Sequence, residues 1–132
     1  MTQRIPILTL DEFVLVSIQT ELHDQLALAL QEDLSDHVSQ SRAKGVLIDI
    51  SSLEVVDSFV GRILAEIASV GRLLGAHTVV AGMRPAVAIT LVELGVPLRG
   101  LRTALDVNQG MRLLRELVNE GEEDKPHGRP SR

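Results

Sequence analysis

Residues 46–76, VLIDISSLEVVDSFVGRILAEIASVGRLLGA, read as a buried strand, a loop and a helix that starts at an Asp-Ser pair. Val46-Leu47-Ile48-Asp49-Ile50 concentrates branched apolar residues, the pattern of a strand covered on both faces. Ser51 to Val56 interrupt that run. Asp57 is placed to cap a helix, because its carboxylate can accept from the unpaired N–H groups of the next turn. Val60, Ile63, Leu64, Ile67, Gly71 and Leu74 recur at three- and four-residue steps and form a buried stripe, leaving Arg62, Glu66, Ser69 and Arg72 outside. Gly75 is the expected stop, since glycine takes the left-handed conformation after a helix cheaply.

Ser58 is the residue of chemical interest. On the first turn of a helix it lies in the positive field of the free N–H groups, a place that tolerates a phosphate. The same position suits a serine that does no more than begin a helix. Pattern alone leaves both readings open.

Working outward, Ile5–Leu10 and Phe13–Ile18 read as two strands joined by Asp11-Glu12, which makes them an antiparallel hairpin. Pro6 suits an edge position. A long helix is expected from Thr20 or Glu21 to about Ala43. Its stripe is Leu22, Leu26, Leu30, Leu34 and Val38, and it crosses over to bring the Val46 strand parallel to the second. His77–Ala81 is a fourth strand. Pro85 opens a helix that Gly95 ends. That helix offers only Thr90 and Glu93 as polar residues, so either its own domain encloses it or it exposes an apolar patch to a partner. Ile89, Val92 and Glu93 are the candidates for such a surface. A short strand fits within Leu98–Leu105. Asp106 caps a last helix with Val107, Met111, Leu114, Leu117 and Val118 inward. The order β-β-α-β-α-β-α-β-α specifies an α/β fold with a mixed, mostly parallel sheet. Residues 1–118 make one domain. Residues 119–132 carry nothing apolar to bury and are expected to be a disordered polar tail.

Composition narrows the function classes. Of 132 residues, 45% are hydrophobic but only 2% aromatic, so Leu, Val, Ile and Ala must build the core. With no Cys, disulfides and thiol chemistry are excluded. A net charge of −5 weighs against nucleic acid or an anionic membrane as partner. No apolar run approaches a membrane span, and the first residues lack a signal-peptide stretch, so a cytoplasmic protein is expected. His23, His37, His77 and His127 are too dispersed to share a metal. No glycine-rich phosphate loop follows a strand. A phospho-accepting aspartate at Asp57 would need an acidic pair before a helix and a late lysine. Asp11-Glu12 leads instead into a strand, and no Lys lies between Lys44 and Lys125. Neither a catalytic residue, a cofactor nor a metal is expected.

Several segments carry a family likeness: Ile5-Pro6-Ile7-Leu8, Leu15-Val16-Ser17-Ile18-Gln19, the run Leu22–Leu34, Gly45–Ile50, Val56-Asp57-Ser58-Phe59 and Pro85–Gly95. Together they resemble the RsbS-type stressosome scaffold proteins, within the STAS-domain family of anti-sigma-factor antagonists, over about residues 4–118. The resemblance implies a non-enzymatic scaffold that sequesters an RsbT-type serine kinase and assembles, as homo- and hetero-oligomer, with RsbR-type paralogues. It implies a phosphate acceptor at Ser58, whose phosphorylation releases the kinase, and an RsbX-type phosphatase to reverse it. RsbR-type proteins carry an N-terminal sensory domain. This chain starts at its first strand and so looks like the S-type subunit. Asp57, Phe59, Arg62 and Glu66 are then candidates for the partner face, although capping explains Asp57 and core packing Phe59 equally well. The alternative is an antagonist that binds one anti-sigma factor or kinase without a large assembly.

Overall fold

The computed structural model describes residues 5–19, 22–96 and 100–124. The elements are β1 Ile7–Leu10, β2 Phe13–Ser17, α1 Asp24–Ser41, β3 Gly45–Asp49, α2 Ser58–Leu73, β4 His77–Ala81, α3 Pro85–Glu93, β5 Leu101–Ala104 and α4 Val107–Asp124. This is the order expected from the sequence. The five strands lie side by side in chain order. β1 and β2 are antiparallel, with Leu10 opposite Phe13 across the Asp11-Glu12 turn. Asp11 takes a left-handed φ of 55° there, a conformation that Asp tolerates better than most residues. β2, β3, β4 and β5 are parallel.

Alternation along the strands divides the core in two. Val14, Val16, Val46, Ile48 and Val80 face α1, α2 and α3, which supply Leu26, Leu30, Leu34, Val60, Ile63, Leu64, Val87 and Leu91. Phe13, Leu47, Val79 and Ala81 face the other way, onto Met111, Leu114, Leu117 and Val118 of α4. One face of the sheet thus carries three helices and the other carries one.

Asp57 is the N-cap of α2, and Gly75 follows it with φ +84°. Ala76 N–H donates to Gly71 O at 2.7 Å, closing the C-terminal turn. Two expected inward residues are outward. Leu74 is 45% exposed because it follows the last helical residue, where the stripe no longer points at the sheet. Val107 is exposed because, at the first residue of α4, it borders an open groove beside Leu15 and Leu47.

α1 begins at Asp24, and its cap is His23, whose Nδ1 accepts from Leu26 N–H at 3.3 Å. The expected starts, Thr20 and Glu21, lie outside the described residues. The helix ends at Ser41, with Arg42 at φ 55°. α4 continues through Asn119 to Asp124, so the end of the helix does not fall at the expected domain boundary of residue 118. The rest of the expected tail, residues 125–132, lies outside the described residues, as do residues 97–99 before β5.

Candidate functional site

The four parallel strands end together at one rim of the sheet, and the loops that follow β3 and β4 meet there. After β3 the chain runs through Ser51–Val56 before α2 begins. Leu53 and Val56 anchor this loop by turning inward, while Val55 is 73% exposed. Asp49 Oδ1 accepts from Ser51 N–H at 3.0 Å, an Asx-type contact that starts the turn. From the neighbouring loop, Arg84 Nε donates to Ser51 O at 3.0 Å. The two loops at the rim are therefore tied together ahead of α2.

Asp57 then caps α2. Its Oδ1 accepts from Val60 N–H at 2.9 Å. Ser58, the first residue of the helix, is exposed. Its hydroxyl stands in solvent beside N–H groups with no intrahelical partner. Arg62 and Glu66 follow at four-residue steps, also exposed, so Ser58, Arg62 and Glu66 form one polar stripe. Glu66 Oε1 accepts from Gln31 Nε2 of α1 at 3.1 Å, so this end of the stripe also bridges two helices. Phe59 turns away from the stripe and packs, half-buried, against the core. Of the expected partner-facing residues, the structure brings Asp57, Ser58, Arg62 and Glu66 to one surface and sets Phe59 behind it.

α3 lies against the same end of α2. A Cβ on Gly61 would come within 2.8 Å of Leu91 Cδ2 and 3.0 Å of Val96 Cγ2. Only a residue without a side chain lets the two helices approach this closely. Of the nine α3 residues, only Val87 and Leu91 are buried. Ile89 is 57% and Val92 75% exposed, with exposed Glu93 and Leu94 alongside. Of the two alternatives for this helix, the structure has the exposed apolar patch.

The sequence did not single out Arg84. Its place follows only from the pairing of β3 beside β4, which no local motif encodes. Among the described residues, no group of three or more His, Asp or Glu could hold a metal ion. No described helix is long and apolar enough to cross a membrane.

A family model for the STAS domain matches residues 4–109. The chain belongs to the STAS family. Two solved STAS proteins are similar over nearly their full length. The S58E form of RsbS from Moorella thermoacetica is 44% identical, with a TM-score of 0.79 over 87% of this chain and 97% of that one. A chain from the structure described as the molecular architecture of the stressosome, a signal integration and transduction hub, is 47% identical, with a TM-score of 0.75 over 86% and 98%. Among curated proteins, the RsbT co-antagonist protein RsbRA of Bacillus subtilis (strain 168) is 34% identical over 106 residues, 73% of this chain. The chain spans only 37% of that relative's length. This STAS domain is thus RsbS-like, with relatives among stressosome proteins.

Proposed function

We propose that this STAS domain is a non-enzymatic stressosome scaffold subunit. In this reading it assembles in the cytoplasm with RsbR-type paralogues and copies of itself, and it holds an RsbT-type serine kinase. Phosphorylation of Ser58 releases the kinase, and an RsbX-type phosphatase resets the site. The observation that carries the reading is the exposed hydroxyl of Ser58 at the head of a polar stripe, beside unpaired helix N–H groups. It is supported by the likeness to an RsbS studied in its S58E form and to a stressosome chain. The apolar patch on α3 supports assembly.

The physical terms favour control at an interface. A phosphate adds about −1.5 to −2 charges. Beside the helix N–H groups it gains about 0.3–1 kcal/mol. An acidic group placed four residues before Arg62 adds about 0.3–0.5 kcal/mol. The adjacent Asp57 carboxylate opposes both. Ser58 is exposed, so a phosphate there meets solvent and not the core. The fold therefore changes little, whereas a mispaired charge at a protein interface costs about 2–5 kcal/mol, a loss of about 30-fold to several-thousand-fold in affinity.

The test is phosphosite mapping by mass spectrometry after incubation with ATP and an RsbT-type kinase, alongside Ser58→Ala. A single phosphate on Ser58, absent from the variant, is the expected result. Phosphate elsewhere, or none with an active kinase, removes the switch from this residue. Mixing with an RsbR-type paralogue and measuring particle mass separates the scaffold, which gives a megadalton assembly, from a one-to-one antagonist.

A further inference from the structure

The sheet face that carries α4 is only partly covered. Where α4 ends its reach, Leu8, Leu15, Leu47 and Val107 wall a groove of about 370 Å³, a volume within the usual small-molecule range of about 300–1,000 Å³. Leu8 is 65% exposed, and none of these four residues contributes a polar side-chain atom.

The far end of the groove differs. It lies at the C-terminal ends of the parallel strands β2 and β3, where Ser17 pairs with Asp49 in register. Ser17, Gln19 and Asp49 line it. Gln19 Nε2 donates to Ser17 Oγ, which leaves the amide oxygen of Gln19 as an acceptor. Asp49 Oδ1 takes one N–H, from Ser51, and a carboxylate can accept several more. Among the described residues that line it, Asp49 is the charged one and none is basic. The groove is therefore apolar along its length and carries the negative charge of Asp49 at one end, beside the Ser17 hydroxyl and the Gln19 amide oxygen.

We propose that this groove binds a small amphipathic cation. Its hydrocarbon body lies along Leu8, Leu15, Leu47 and Val107, and its ammonium head donates to Asp49 and Gln19. An anionic head would meet the Asp49 carboxylate, and no described lining residue is basic to offset it. A neutral hydrocarbon would fill the apolar length but gain nothing from the Asp49 charge. Because Asp49 holds Ser51, a bound cation also bears on the loop that leads to Ser58. That link rests on the reading of Ser58 given above, whereas binding does not.

The test uses methyl-labelled full-length protein and decylammonium as the probe, kept below its micelle concentration, with decanoate as the matched anion. Saturable shifts of the Leu8, Leu15, Leu47 and Val107 methyl signals with decylammonium, and at most weak shifts with decanoate, are expected. Asp49→Asn keeps an acceptor for Ser51 N–H and should weaken binding by about tenfold or more. Val107→Trp, at an exposed site outside the core, should block the groove without affecting the fold. Equal binding of decanoate, or unchanged affinity in Asp49→Asn, overturns the charge assignment. Absence of shifts overturns the site. Shifts of the same methyls on protein dilution alone, unaffected by the amine, mean that a second copy covers this face, and also overturn it. None of these readouts uses the kinase, so failure here is distinguishable from failure of the Ser58 reading. A changed rate of Ser58 phosphorylation on adding decylammonium tests the link by itself.

Discussion

Replacing Thr78 by Val should raise stability. Thr78 sits in β4 between Val46 and Leu101, beneath α2, and is 2% exposed. Its Oγ1 has no hydrogen-bond partner among the described residues. The reason lies in the helix above. α2 presents Gly71 at that point, and a Cβ there would lie only 3.1 Å from the hydroxyl oxygen. The hydroxyl faces a backbone whose own groups are already engaged. A buried polar group left unpaired costs about 1–3 kcal/mol, and an apolar group of the same shape removes that cost. At about 2.1 cal/mol/K per residue, a chain of 132 residues unfolds with an entropy of about 280 cal/mol/K near its midpoint. Thr78→Val should therefore raise the midpoint by about 4–11 °C in differential scanning calorimetry. Urea unfolding should show a higher midpoint with an unchanged slope, which locates the effect in stability and not in the unfolded chain. An unchanged or lower midpoint would refute the reasoning, since it would mean that the hydroxyl has a partner, such as a water held between α2 and β4.

Other substitutions probe the site and its supports. Asp57→Ala removes the acceptor for Val60 N–H and should cost about 0.5–2 kcal/mol, with faster amide exchange confined to the first turn of α2. Gly61→Val forces α3 away from α2 and should cost about 1–3 kcal/mol, visible in chemical denaturation. Val92→Glu leaves the core intact and should shift the melting midpoint little, but it should reduce particle mass in light scattering if α3 is an assembly surface. If the proposed kinase binding holds, Ser58→Asp should change the calorimetric midpoint by only a few degrees while reducing kinase affinity by about 30-fold or more. Comparable losses in both would place the effect in the fold.

The parts of this structure legible in the sequence are those specified locally. The compact apolar run of Val46–Ile50, the cap at Asp57 and the stop at Gly75 each depend on residues within one turn or strand. The order of elements followed from them. His23 was missed as a cap because its ring nitrogen does what Ser, Thr, Asp or Asn usually does, and no pattern distinguishes it. Leu74 continues an apolar spacing past the last residue of α2, and Val107 borders a part of the sheet that α4 leaves open. Spacing defines a face of the helix, but burial depends on what stands opposite. Residues 119–124 include nothing apolar, yet α4 continues through them, because Asn and Glu do not end a helix by themselves. Ser58 was legible as a helix-start hydroxyl. The tie from Arg84 to its loop was not, because that contact joins two strands that only the sheet brings together.

The placement of Ser58 also has a kinetic consequence. Many modified side chains in folded domains are reached only after a segment opens, and the rate then carries the rarity of that open state. Here the hydroxyl is exposed, the cap bond belongs to the neighbouring Asp57, and α2 holds together without it. On the proposed function, an enzyme acting on Ser58 should therefore not wait for the domain to open, and its rate should follow encounter and chemistry, with no folding step in a cycle of modification and reversal.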